Sequence, residues 1–128
     1  MLNEIRDAIH NNSVAKGFWN EPNTNITEKI MLVVTELSEA VEAMRKLDVN
    51  ELIVGIVQCN EIISDFDITG YSGHNFKTFI KDSVGDEFAD SIIRILDLCG
   101  RLGIDIEGHI KYKMEYNSTR PHMHGKTF

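Results

Sequence analysis

Between Pro22 and Pro121 the chain has no proline, so nothing in that span forces a break in helical hydrogen bonding. Apolar side chains recur there at i, i+3, i+4 and i+7, the period of a helix with one face turned inward. Together with an amphipathic start, the pattern predicts helices over 2–16, 26–47, 50–67, 84–102 and 105–117, and hence a mostly α chain. A length of 128 residues with 42% hydrophobic content suits one ordinary core, so a single domain over 1–128 is expected. The middle is less regular. Glu51–Phe66 suits a helix, but its isoleucines and valines also suit strands, and Ile68–His74, with Gly70 and Gly73, reads as a loop.

In the second helix Ile30, Val33, Val34, Leu37, Ala40, Val41 and Met44 form one apolar stripe, expected to be buried. Leu32 and Ala43 share the other sector with Glu36 and Glu39, which predicts a helix partly covered on two sides and carboxylates at a semi-buried site. The fourth helix turns Phe88, Ile92, Ile95, Leu96, Cys99 and Leu102 inward and stops at Gly103. Its polar sector, Glu87, Asp90, Arg94, Asp97 and Arg101, reads most simply as a solvated face with i, i+4 ion pairs. Asp105 is placed to cap the last helix, whose buried side is expected at Ile106, Ile110 and Met114.

A formal charge of −7 and a pI near 5.1 leave no basic stripe to displace counterions, which argues against a nucleic-acid polymer as partner. The first residues carry no secretory signal, and the longest apolar run, Ile30–Val34, is far short of a membrane span, so a cytoplasmic protein is expected. Cys59 and Cys99 lack zinc-type or CxxC spacing and read as reduced core thiols.

Two acidic pairs carry the chemistry. Glu36-Leu-Ser-Glu39 and Glu87-Phe-Ala-Asp90 each have i, i+3 spacing, so on helices each pair stands on one face, with Cβ atoms about 5–6 Å apart. Such pairs repel unless a cation lies between them. Four carboxylates from two packed helices make an all-oxygen cage, the donor set that suits Mg²⁺ or Mn²⁺, and a magnesium cage of this kind commonly holds phosphates.

Around the pairs lie Gly17-Phe18-Trp19, Leu98–Asp105, Lys113-Met-Glu-Tyr-Asn117, Arg120-Pro121 and Gly125-Lys126. ExxE spacing alone means little, since Glu4…Asp7 and Glu39…Glu42 show similar acidic spacing. The ordered combination resembles the MazG-like members of the all-α nucleoside triphosphate pyrophosphohydrolase superfamily, marked by ExxE followed by ExxD. The resemblance covers the chain except for about 48–83, and 47 residues, 40 through 86, separate the pairs, more than is usual in that family.

The resemblance implies a helical bundle, a homodimer or homotetramer, that hydrolyses a nucleoside triphosphate to the monophosphate and pyrophosphate. Carried over by motif position, Glu36, Glu39, Glu87 and Asp90 would be the Mg²⁺ ligands, with one glutamate or a neighbour taking the proton of the attacking water. Lys113 and Asn117, one turn apart, would clamp phosphate or sugar, and Arg120 and Lys126 would add charge at the outer phosphates. Trp19 reads either as a stacking surface for a base, with a lean to purines, or as a core residue. The insert is read as a lid or base-recognition element or, more in keeping with its apolar Leu52–Ile63 stretch, an oligomerisation element.

The other readings are weaker on the residues. Gly125-Lys126-Thr127 mimics the end of a P-loop, but Arg120 stands where its first glycine is needed. His122 and His124 lack a third ligand nearby in sequence. A di-iron bundle needs Glu-x-x-His pairs, which are absent. The non-enzymatic alternative is a helical regulatory or interaction module whose acidic faces are merely solvated.

Overall fold

The computed structural model describes residues 1–65 and 70–122. Among them every regular element is helical: α1 (Leu2–Ala15), α2 (Ile26–Arg45), α3 (Val49–Ser64), a short α4 (Gly73–Asn75) running into a π-helical segment (Phe76–Ile80), α5 (Val84–Leu102) and α6 (Ile106–Ser118). The all-α expectation therefore holds. No helix among the described residues is long and apolar enough to cross a membrane.

The helix ends follow from local chemistry. Asn25 caps α2 by accepting from the Glu28 N–H, and Asp105 caps α6 by accepting from that of Gly108. Gly103, at φ +66°, ends α5: its N–H bonds to the Gly100 carbonyl and that of Ile104 to the Cys99 carbonyl, satisfying two orphan acceptors. The helix-or-strand ambiguity before residue 65 is settled by a capping box. Asp48 accepts from the Asn50 and Glu51 amides while the Glu51 carboxylate accepts from the Asp48 N–H. The expected loop at Ile68–His74 falls partly outside the described residues, and the helical turn of α4 begins within it at Gly73.

The chain divides into two compact units, one taking Met1–Thr24 with the chain from Leu96 onward, the other Asn25–Ile95. In the first, Trp19, Leu96, Leu98 and Cys99 are buried. The indole N–H of Trp19 donates to both oxygens of Asp97, at 2.9 and 3.1 Å, and His10 Nδ1 lies 2.7 Å from Asp97 Oδ1. Gly100 lets α1 approach: a Cβ built there would lie 2.5 Å from the Cβ of His10. Arg6 donates to the Ile104 carbonyl, and Asn3 donates to the Asp105 and Glu107 carboxylates. Burial pushes the Cys99 thiol up, which keeps it protonated and inert. Both cysteines are free, as expected.

In the second unit α2 buries a narrower line than expected. Val33, Glu36 and Ala40 form the buried line, while Ile30, Val34, Leu37, Val41 and Met44 remain about half exposed. Of the expected stripe, Val33 and Ala40 are buried and the other five are not, while Glu36 lies in line with the buried two. In α5 Leu96 and Cys99 are buried as expected, but Phe88, Ile92, Ile95 and Leu102 are exposed, and in α6 Ile110 and Met114 are exposed.

Candidate metal centre

Glu36 sits in the buried line of α2 at 6% exposure, and Glu87 in that of α5 at the same value. One carboxylate oxygen from each of Glu36, Glu39 and Glu87 can be chosen so that all lie within 4.8 Å of one another. Asp90 does not join this group, but its carboxyl is influenced by Glu36 and Glu39. The structure thus brings together three of the four expected ligands and leaves the fourth at the edge. Glu39 and Asp90 are exposed, so the group is open on one side.

The electrostatics match that geometry. Burial, then the neighbouring Glu39, Asp86, Glu36 and Asp90 carboxylates, push the Glu87 carboxyl above its ordinary range. Asp90 is raised too, by burial and by Asp86 and Glu36, with Arg94 pulling the other way. Among the described residues no hydrogen bond or ion pair reaches the side chain of Glu87 or Glu39. Glu87 is therefore a nine-tenths buried carboxylate aimed into a cluster of its own sign.

Arg94 is the residue that the sequence did not single out. Its Nε and Nη2 both lie 2.6 Å from Glu36 Oε1, so both contacts fall on one oxygen. Read on α5 alone, Arg94 belonged to a solvated face of local pairs; the pair it makes is with the other helix. Its spacing of four from Asp90 and seven from Glu87 puts it on the acidic side, the one signal available in advance.

No known protein family's model matches the chain, and neither the curated proteins nor the solved structures yield a match.

Glu36 meets Arg94, while Ala43 and Leu47 share a cavity wall with Val84 and Asp86, so α2 and α5 run antiparallel. Ile30, Val34, Leu37, Val41 and Met44 make an exposed apolar flank on α2, and Phe88, Ile92 and Ile95 one on α5. Glu39 and Asp90 are exposed where the cluster opens.

The remaining expected site residues belong to the first unit. Trp19 is buried at 8% exposure, with its N–H held by Asp97, the His10 ring edge-on at 5.7 Å and the Arg101 guanidinium 5.3 Å from its centroid. That is the packing role rather than an open stacking surface. Lys113 Nζ and Arg120 Cζ lie 5.0 and 5.8 Å from the centroid of the Tyr116 ring. Asn117 Oδ1 is buried with no hydrogen-bond partner. Lys126, His124 and the Gly125-Lys126-Thr127 mimic lie outside the described residues; His122 lies just inside them.

Proposed function

We propose that the chain is a MazG-like nucleoside triphosphate pyrophosphohydrolase, cutting between the α and β phosphates to give the monophosphate and pyrophosphate. The observation that carries the reading is the buried, unpartnered Glu87 carboxylate facing Glu36 and Glu39. A merely solvated acidic face, as an interaction module would have, does not bury two of its carboxylates at 6% exposure.

The donor set fits a hard divalent cation: three carboxylates converge without sulfur or imidazole, and the exposed edge at Glu39 and Asp90 leaves room for water and phosphate oxygens. Glu36, Glu39 and Glu87 would hold Mg²⁺, or Mn²⁺ in its place, with Asp90 joining them. When bound, the ion supplies Lewis-acid activation of water and neutralises the phosphate chain. The protein's own part is to keep Glu36 oriented through Arg94, with one of Glu36 and Glu39, or a neighbouring carboxylate, taking the proton of the attacking water. In the first unit, the buried and unpartnered Asn117 Oδ1, one helical turn from Lys113, is a further proposed acceptor.

The reading includes a homodimer or homotetramer. Fully burying a large aliphatic side chain is worth about 1.5–3 kcal/mol, and each side chain on the apolar flank leaves about half of that unclaimed. A second copy covering these side chains would claim it.

The test is a screen of common NTPs and dNTPs with Mg²⁺ that resolves monophosphate from diphosphate products. Monophosphate and pyrophosphate are expected, with turnover abolished in Glu39→Gln and Glu87→Gln and kept in Glu4→Gln. Diphosphate and orthophosphate as first products, or full activity in excess chelator, would sink the reading.

A further inference from the structure

A cavity of about 750 Å³ opens in the second unit between α3, the segment from Gly70 to Ser83 and the start of α5. That volume is within the usual range of sites for small organic ligands. Its walls are mostly apolar, and Tyr71, Phe76 and Phe79 give it three aromatic rings. Polar groups are interspersed: the amides of Asn60 and Asn75 each carry both a donor and an acceptor, Ser72 and Ser83 add hydroxyls, and Asp82 and Asp86 add carboxylates near the start of α5. Lys46 lines it as well.

The cavity adjoins the carboxylate cluster through covalent neighbours. Ala43 lies one helical turn after Glu39, Asp86 immediately precedes Glu87, and Ala89 immediately precedes Asp90; all three are wall residues. A molecule seated among the rings therefore lies beside the backbone that carries Glu87 and Asp90.

The floor is held in place by the chain itself. The Cys59 thiol donates to the Phe79 carbonyl at 3.2 Å, tying the π-helical segment to α3. The Asp82 N–H donates to the Asp86 carboxylate at 2.9 Å, tying the far end of that segment to α5. Tyr71 and Phe76 stand with centroids 6.4 Å apart and planes tilted by 47°. π-Helical turns in proteins are frequent at functional sites.

We infer that this cavity seats the base of the nucleotide whose phosphates the carboxylate cluster would hold, so that the segment between the acidic helices selects substrate. The inference rests on the pyrophosphohydrolase reading for the fate of the phosphates, not for the cavity. A planar heteroaromatic base matches the wall chemistry in both respects: π-faces for the aromatic rings, and edge donors and acceptors for the two amides. A purely apolar ligand would leave Asn60 and Asn75 without purpose. The insert's Leu52, Ile56, Ile62 and Ile63 line the cavity rather than serving only an interface between copies.

Gly55 gives the decisive variant. It lines the cavity from α3, and a Cβ added there meets nothing within 4 Å, so a larger side chain fills space without displacing neighbours. Gly55→Leu is expected to raise KM for the preferred triphosphate by about tenfold or more, the order of one lost stacking contact, with kcat changed by less than about threefold. Gly55→Ala, the small control, is expected to keep KM within about threefold of the parent. Binding of Mg²⁺-tripolyphosphate, which has no base, should be the same in parent and Gly55→Leu and reports that the variant is folded. Nucleosides alone, titrated by NMR, should perturb residues lining the cavity in the parent and not in Gly55→Leu.

Unchanged KM in a Gly55→Leu protein that still binds Mg²⁺-tripolyphosphate overturns the inference and leaves the hydrolase reading standing. Nucleoside binding in the cavity of a protein that hydrolyses no triphosphate would sink the hydrolase reading and keep the base site.

Discussion

Arg94 holds Glu36 across two helices, with Nε and Nη2 each 2.6 Å from the same oxygen, Oε1. Glu36 is nearly enclosed while Arg94 is 40% exposed along its side chain, so the pair has a buried anion and a cation that reaches it from the rim. Its role is to make the burial of Glu36 tolerable.

Removing that cation should therefore cost stability. Arg94→Gln is expected to lower the stability of the metal-free protein by about 1–3 kcal/mol, the usual penalty for leaving a buried polar group unsatisfied. Saturating Mg²⁺ should recover most of the loss. Thermal melts in chelator and in Mg²⁺ measure both, and an equal deficit in the two conditions would show that Arg94 does not act through the cluster.

Magnesium itself should stabilise the parent protein without nucleotide. At about one hundred times its Kd the gain approaches about 2.7 kcal/mol per site, provided the unfolded chain binds none. The ion offsets what raises Glu87 and Asp90, their burial first and then the neighbouring carboxylates. A melting temperature indifferent to Mg²⁺ across the millimolar range would contradict convergence of the carboxylates.

Gly100→Ala tests the first unit through the sign of its effect. Helix propensity alone favours alanine by about 1 kcal/mol. The added Cβ would stand 2.5 Å from His10 Cβ and 2.8 Å from Cγ, a clash expected to cost about 1–3 kcal/mol and to give a net loss. Urea denaturation decides, and a more stable variant would mean that α1 does not approach α5 so closely.

Acid should weaken the start of α6. Lys111, the Asn3 backbone N–H and the chain's amino group hold Glu107 down to about 2, and the Asn3 side chain and Gly108 N–H lower Asp105. A carboxylate with a depressed folded pKa contributes stability that is present above its unfolded pKa, near the ordinary value of about 4.3, and is lost as pH falls through the folded one. Between pH 5 and 2 the melting temperature of Glu107→Gln should fall less than that of the parent. Parallel curves would assign the acid sensitivity elsewhere.

The apolar flank predicts its own variant. Val34→Asp with Ile92→Asp should dissociate an assembled protein to monomers in sedimentation while sparing the Mg²⁺-dependent melt, since both residues are exposed and neither belongs to the carboxylate cluster. A parent chain that is already monomeric at micromolar concentration would refute assembly through this flank.

Helix positions were legible in the sequence because period and caps are local: Asp48, Gly103 and Asp105 each act on neighbours within a few residues. The convergence of Glu36, Glu39 and Glu87 was also legible, since i, i+3 pairs need only two packed helices. How much of the α2 stripe turns inward was not. The expected stripe was too wide: Val33 and Ala40 are buried in line with Glu36, whereas Val34, Leu37 and Val41, more apolar taken together, are half exposed. Arg94 escaped notice because its partner is 58 residues away. The cavity escaped because its rings come from a stretch with no clear period, where Tyr71, Phe76 and Phe79 are brought together by an irregular backbone.

That irregularity has a consequence for insertions and deletions. In the Phe76–Ile80 turn the Lys81 N–H reaches back five residues to the Phe76 carbonyl, at 2.8 Å, where an α-helix reaches back four. The turn holds one residue more than an α-helical turn would, and the extra residue sets where Phe79 sits. Deleting one of the residues before Phe79 would favour an ordinary helical repeat and swing the backbone after it by about 100°, carrying the Phe79 carbonyl away from Cys59. A length change of one, harmless in most surface connections, would here rewrite the cavity wall.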